Sequence, residues 1–259
     1  MVGVALLILL ANASDAEVLG QAEAAFRKGV ESREDPSAAR AAFRDAARHY
    51  EELARRGFRN PALYFNLGNA HLLADDLPRA ILSYRRGLLL SPNDSTLRDG
   101  LGGARERVVY PVGDFGRPPR DLLPAWVPRV TSGPVLFAAI IGHVTFCVAL
   151  TRWWMVRRGR PLVVAMLSLG LTLLLAAGWG FLYWRELEED RYPFVVVAED
   201  NVVLRTGNGL SYPAKYEAPL NRGVEGRLLF RRGDWMKVEL AGGESGWLRR
   251  DWVLVSREE

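Results

Sequence analysis

Hydrophobic and polar positions follow different spacings along the chain, and each spacing predicts a different kind of element. In NPALYFNLGNAHLLADDLPRAILSYRRGLLLSPND, residues 60–94, Tyr64, Leu67, Gly68 and His71 recur at i, i+3, i+4 and i+7, one face of a helix. ADDLP breaks the run, and a second helix carries Ala80, Tyr84 and Gly87 until Pro92 ends it. Thirty-four residues upstream of Ala80 and Tyr84 stand Ala46 and Tyr50, in PSAARAAFRDAARHYEELARRG. That segment reads as the second helix of a preceding pair. The first helix of that pair is AEVLGQAEAAFRKGVES, with Val18, Ala22, Ala25 and Phe26 as its face and a turn at REDPS. STLRDGLGGARERV then supplies a capping helix through Leu97, Leu101, Ala104 and Val108, weakened by Gly100, Gly102 and Gly103. Residues 14–110 are therefore expected to form an all-α arm of stacked helix pairs, since one pair cannot bury its own face.

A second spacing is no spacing at all. Pro134–Thr151 is apolar throughout and Trp153, Trp154 and Met155 extend it to a membrane helix over 134–156, while 161–184 gives a second span with no charge. The second run ends in Trp179, Phe181, Tyr183 and Trp184, side chains that suit headgroup depth. Between the runs, Arg152, Arg157, Arg158 and Arg160 mark the loop 157–160 as cytoplasmic by the positive-inside rule. The N-terminal MVGVALLILLANASDAE has a short apolar run and a small-x-small pattern, Ala11-Asn12-Ala13, which predicts a signal peptide over 1–13. The loop puts both long arms on the outer side of the membrane, and the signal peptide independently predicts the same for the N-terminal arm. His143, mid-span, is expected to pack neutral between helices, satisfied by Thr145 or a backbone carbonyl.

The third pattern is a turn every eight to twelve residues. Over 192–256, short runs rich in Val, Leu and aromatics alternate with Gly and Asn turns, which predicts a small all-β barrel. Expected strands are Phe194–Ala198, Val202–Arg205, Gly226–Arg231, Trp235–Leu240, Glu244–Leu248 and Trp252–Val255. Residues 111–133 form a Pro-rich linker, with Pro111, Pro118, Pro119, Pro124 and Pro128 excluding continuous helix.

Composition narrows the function. The net charge of +4 is carried by basic residues scattered along helices, not gathered with aromatics in a stripe, which argues against nucleic acid. Cys147 is the one cysteine, so neither an intrachain disulfide nor a thiolate metal site can form. No HExxH, GxSxG, Walker loop or CxxC occurs, and no catalytic, metal or cofactor residues are proposed from the sequence. Enzyme activity is not expected.

Several of these stretches resemble known families. Residues 61–94 resemble a tetratricopeptide repeat through Tyr64, Leu67-Gly68, Ala80, Tyr84 and Pro92, with His71 and Gly87 departing from the usual residues. Asn66 and Asn69, on the helix face opposite Tyr64, Leu67 and Gly68, match positions that the resemblance implies line a peptide-binding groove. Phe65 stands where a carboxylate-clamping Lys would be expected. VVLRTGNG, LNRGVEG, GDWMKVEL and GESGWLRRDWV resemble a bacterial Src-homology-3-type domain. That resemblance implies packing roles for Trp235 and Trp247 and makes Tyr212, Tyr216 and Trp252 candidate surface-binding residues, with cell-wall peptide as one ligand the domain type allows. The whole order is similar to BatE-type proteins of bacterial aerotolerance operons. That family implies a multidomain protein of the bacterial inner membrane, a non-catalytic scaffold beside von Willebrand A-type membrane proteins and a MoxR-type ATPase. The other reading is a cell-envelope sensor or receptor that binds cell-wall peptide through the barrel.

Overall fold

A computed structural model describes residues 13–111, 116–118, 131–156 and 159–256. The expected signal peptide and most of the linker lie outside the described residues, as do Arg157 and Arg158 of the loop. Seven helices are described: α1 (Ala13–Glu31), α2 (Pro36–Arg55), α3 (Pro61–Leu73), α4 (Leu77–Leu90), α5 (Ser95–Glu106), α6 (Ser132–Val156) and α7 (Gly159–Arg191). Five strands follow: β1 (Phe194–Val197), β2 (Glu225–Arg232), β3 (Trp235–Leu240), β4 (Ser245–Arg249) and β5 (Val253–Val255).

The helix starts are written in the sequence. Asp35, Asn60, Asp76 and Asp94 cap α2 to α5, their side chains accepting from backbone N–H groups two or three residues on. Such caps are worth about 1 kcal/mol each. Pro36, Pro61 and Pro78 sit in the first two positions of their helices, where the missing N–H costs nothing.

Small residues set how closely the helices approach. The Tyr84 ring of α4 is fully buried, and a Cβ added at Gly68 of α3 would come within 2.5 Å of it. A Cβ at Gly100 of α5 would come within 2.8 Å of the same ring. Gly100 therefore makes room for Tyr84. Gly87 does the same for Leu97, which explains why Ala is absent there. Ala46, Tyr50, Ala80 and Tyr84, in pairs 34 residues apart, are all buried.

The chain divides into two compact units, one holding α1–α5 with the sheet and the other, Trp126–Tyr192, holding α6 and α7. The helical arm and the β segment, expected as separate modules, thus pack as one body. Leu77, Ile81, Tyr84, Leu97 and Leu101 belong to the same buried cluster as Val195, Val197, Val238 and Leu248. Burial of a side chain such as Ile81 contributes roughly 1.5–3 kcal/mol.

All five strands are antiparallel, in the order β4-β3-β2-β1-β5. β1 is buried on nearly every side chain, so it reads as a continuous Val run and not as an alternation. The expected strand Val202–Arg205 is absent as a strand. Instead, Val202 bridges Leu220, and Arg205 bridges Ala214 and Trp247, so the long loop lies along the free edge of β4. The expected Trp252–Val255 strand loses its first residue to a 3-10 turn, Arg250–Trp252.

In the other unit, α6 and α7 lie against each other, with Gly142 of α6 facing Thr172 of α7. Both are long and apolar enough to cross a membrane. The α7 helix runs beyond the expected end at Trp184, to Arg191. His143, expected to be satisfied by Thr145 or a backbone carbonyl, meets Cys147, Nε2 to Sγ 3.7 Å, while Thr145 donates to the Ile141 carbonyl.

Candidate functional site

Strand β3, WMKVEL, alternates strictly, with Met236, Val238 and Leu240 buried and Trp235, Lys237 and Glu239 half-buried on the opposite face. In β4, Gly246 and Leu248 point inward, while Trp247 and Arg249 share the outer face. The packing roles expected for Trp235 and Trp247 are therefore corrected: period two groups each Trp with charged neighbours, not with the core.

A bulge completes the face. The β2–β3 register shifts between Leu228 and Phe230, so Leu228, opposite Val238, points into the core while Phe230, opposite Lys237, turns outward. Phe230 is left 57% exposed, which a large apolar side chain two residues from a core position would not otherwise be. The cross-strand pairs then form two rows, Phe230–Lys237–Trp247 and Arg232–Trp235–Arg249. Aromatic and cationic side chains alternate in both directions. Phe230 meets Trp247 edge-on at 6.4 Å, and Trp252 meets Trp235 edge-on at 6.3 Å. The Arg249 guanidinium lies 5.7 Å from the Trp252 ring centre and also pairs with Asp251 at 2.9 Å. Such a surface offers ring faces for stacking and guanidinium or ammonium groups for carboxylates.

Trp252 thus joins this face through Trp235. Tyr212 and Tyr216 lie in the 198–224 loop. Tyr212 folds back over Gly207, leaving no room for a Cβ there, and its carbonyl accepts from Arg205 at 2.7 Å. Tyr216 is half-buried against the core, with Lys215 5.8 Å from its ring centre. Phe230, Arg232, Lys237 and Arg249 were missed from the sequence. The Trp-x-Lys-x-Glu and Trp-x-Arg alternation could have found the last two; the bulge has no local signature.

On α3, Asn66 and Asn69 differ. Asn66 is half-buried and carries no side-chain bond to a described residue, whereas Asn69 Oδ1 accepts from the Tyr84 hydroxyl at 2.7 Å. The expectation that both point away from the packing is corrected for Asn69, because the buried Tyr84 needs an acceptor and Asn69 is within reach. Burial pushes the Tyr84 hydroxyl up to about 12, with Arg107 pulling the other way, so it stays a donor. His71 is buried and reaches Glu51 of α2 at 3.3 Å.

A further group of charges was not read from the sequence. Glu225, at the start of β2, is 1% exposed and is held by Arg85 of α4 at 2.8 Å and by Arg105 of α5 at 2.6 Å. Burial pushes its carboxyl up, but the Arg85 and Arg105 charges and their hydrogen bonds outweigh this and hold it below the usual range. Arg86 donates to the Ser256 and Val255 carbonyls, and Asn221 to the Val109 carbonyl, adding ties between helices and sheet. A polar hollow of about 410 Å³ lies nearby, lined among others by Asp75, Asp76, Arg79 and Arg222. Its charges largely pair with one another, Arg79 with Asp76 at 2.7 Å and Arg222 with Asp75 at 3.8 Å. That leaves the outer face of β3–β4 as the better candidate. Among the described residues, no cluster of His, Cys, Asp or Glu could hold a metal ion.

No family model matches the chain. It is 33% identical over 64 residues to "Putative N-acetylmuramoyl-L-alanine amidase YrvJ" of Bacillus subtilis (strain 168). That match covers 25% of this chain and 12% of the relative, so the chain spans about an eighth of the relative's length.

Proposed function

We propose that this chain is a non-catalytic, membrane-anchored protein that binds cell-wall peptide or glycan on the outer face of its sheet. The observation that carries this reading is the alternation of Phe230, Trp235 and Trp247 with Arg232, Lys237 and Arg249 across three strands. Stacking rings suit sugar and peptide planes, and the cations suit the carboxylates of wall peptides. The partial likeness to an amidase-named protein supports the same ligand class. We take the sheet segment to be a Src-homology-3-type binding domain, a targeting element shared with that protein and not its chemistry. Cosedimentation of the purified full chain with isolated cell-wall sacculi tests it. Trp235→Ala and Trp247→Ala are expected to weaken binding at least ten-fold each, about 1.4 kcal/mol. Binding equal to wild type would contradict the reading.

A second reading is favoured by the helices. Ala46, Tyr50, Ala80 and Tyr84 are buried at the 34-residue spacing of a tetratricopeptide repeat. On that reading the body is also a scaffold for protein partners, of which von Willebrand A-type membrane proteins and a MoxR-type ATPase are those the resemblance suggests. Asn66 is the groove residue still open to a partner. In both readings α6 and α7 cross the membrane as a hairpin. The segments before and after it then share one side, because they share one core. We assign that side to the cell exterior or periplasm, from the arginines of the intervening loop.

A further inference from the structure

The inference concerns the membrane unit and rests on the reading of α6 and α7 as membrane helices. Toward the loop that joins them, a groove of about 470 Å³ is lined by residues of both. Its α6 wall is Val144, Thr145, Val148 and Ala149, and its α7 wall is Pro161 and Val164. Val144, Val148 and Val164 are 56%, 62% and 49% exposed, so the groove opens sideways, where lipid chains would lie. At its end stand Arg152 and Arg160, one from each helix. The spacing produces this arrangement: 144, 148 and 152 follow one another at i+4, as do 160 and 164, so each apolar stripe ends in an arginine. From Pro134 to Trp184 the sequence has no Asp or Glu, so no carboxylate of this segment can neutralise the two.

We propose that this groove binds an acidic phospholipid, with an acyl chain against Val144, Val148 and Val164 and the headgroup phosphate between Arg152 and Arg160. Basic pockets between membrane helices on the cytoplasmic side select anionic headgroups. Guanidinium groups hold phosphate oxygens in pairs, and the negative phosphate relieves the repulsion between two arginines placed together. A choline headgroup would bring its own cation to the same place and gain less.

The test reconstitutes the full chain in nanodiscs of mixed phosphatidylglycerol and phosphatidylcholine and measures which lipid stays bound after gentle delipidation, by native mass spectrometry. Wild type should retain phosphatidylglycerol about ten-fold over phosphatidylcholine, and Arg152→Gln/Arg160→Gln should bring the ratio close to one. Val148→Trp, which fills the groove and leaves both arginines in place, should also abolish the preference. Arg191→Gln, at the other end of α7, should keep it. A preference lost in the double arginine variant but kept in Val148→Trp would mean diffuse charge attraction and overturn the groove. No preference in wild type, with normal insertion, would overturn the proposal and leave the membrane reading standing. A chain that stays in solution without detergent would overturn both.

Discussion

Asn66 and Asn69 are three residues apart on α3, yet only Asn69 serves a buried partner, the Tyr84 hydroxyl. Asn69→Ala should therefore cost about 1–3 kcal/mol, since it leaves a buried donor unpaired, while Asn66→Ala should cost less than about 0.5 kcal/mol. Thermal unfolding of the purified full chain in detergent measures the difference, and equal shifts would mean the Tyr84–Asn69 bond contributes nothing. Gly68 makes a second case in which two effects compete. Alanine would gain up to about 1 kcal/mol of helix propensity. Its Cβ would overlap the buried Tyr84 ring, at 2.5 Å, and overpacking typically costs about 1–3 kcal/mol. Gly68→Ala is expected to lower the melting temperature; a rise would show that α3 and α4 can separate freely. The helix-face spacing made Leu67 and Tyr84 legible as core, but not which polar side chain would answer the Tyr84 hydroxyl. That choice depends on the rotation of α3 against α4, which local sequence does not encode.

Elements were legible where one period dominates. The strand expected at Trp235–Leu240 forms with those bounds, and the helix breaks expected at REDPS and ADDLP fall between α1 and α2 and between α3 and α4. The Val202–Arg205 strand failed because its partners are single bridges to Leu220, Ala214 and Trp247, contacts made across the fold. The outward turn of Phe230 has no sequence signal for a similar reason, since a bulge shifts the period by one residue without changing composition. The Arg85–Glu225–Arg105 clamp joins elements more than a hundred residues apart and has no sequence signal at all. Its pH dependence follows from its direction. The Glu225 pKa lies below the ordinary 4.5 in the folded state, so the clamp contributes fully above that value and is lost as pH falls through the lower folded value. Glu225→Gln should destabilise the body by about 3 kcal/mol near neutral pH, less than a fully buried pair because both arginine heads reach solvent. The penalty should shrink below about pH 4. Melting curves at pH 7 and pH 3.5 test this, and a penalty that does not change with pH would rule out the ion pair as its cause.

At the scale of the whole molecule, α1–α5 and the sheet form one body although α6 and α7 interrupt them in sequence. If the two helices cross a membrane, an alkaline phosphatase fused after Glu259 should be active, because that enzyme works only outside the cytoplasm. An intact but inactive fusion would contradict the assignment of both long arms to the outer side. The proposed ligand face runs from Phe230 to Trp252. Hydroxyl-radical footprinting of the full chain, with and without soluble cell-wall fragments, reads that face directly. Trp235, Trp247 and Trp252 should lose reactivity on addition of the fragments, while Trp184 of α7 keeps its own. Unchanged reactivity at all three, under conditions where the fragments bind, would contradict the assignment of the site.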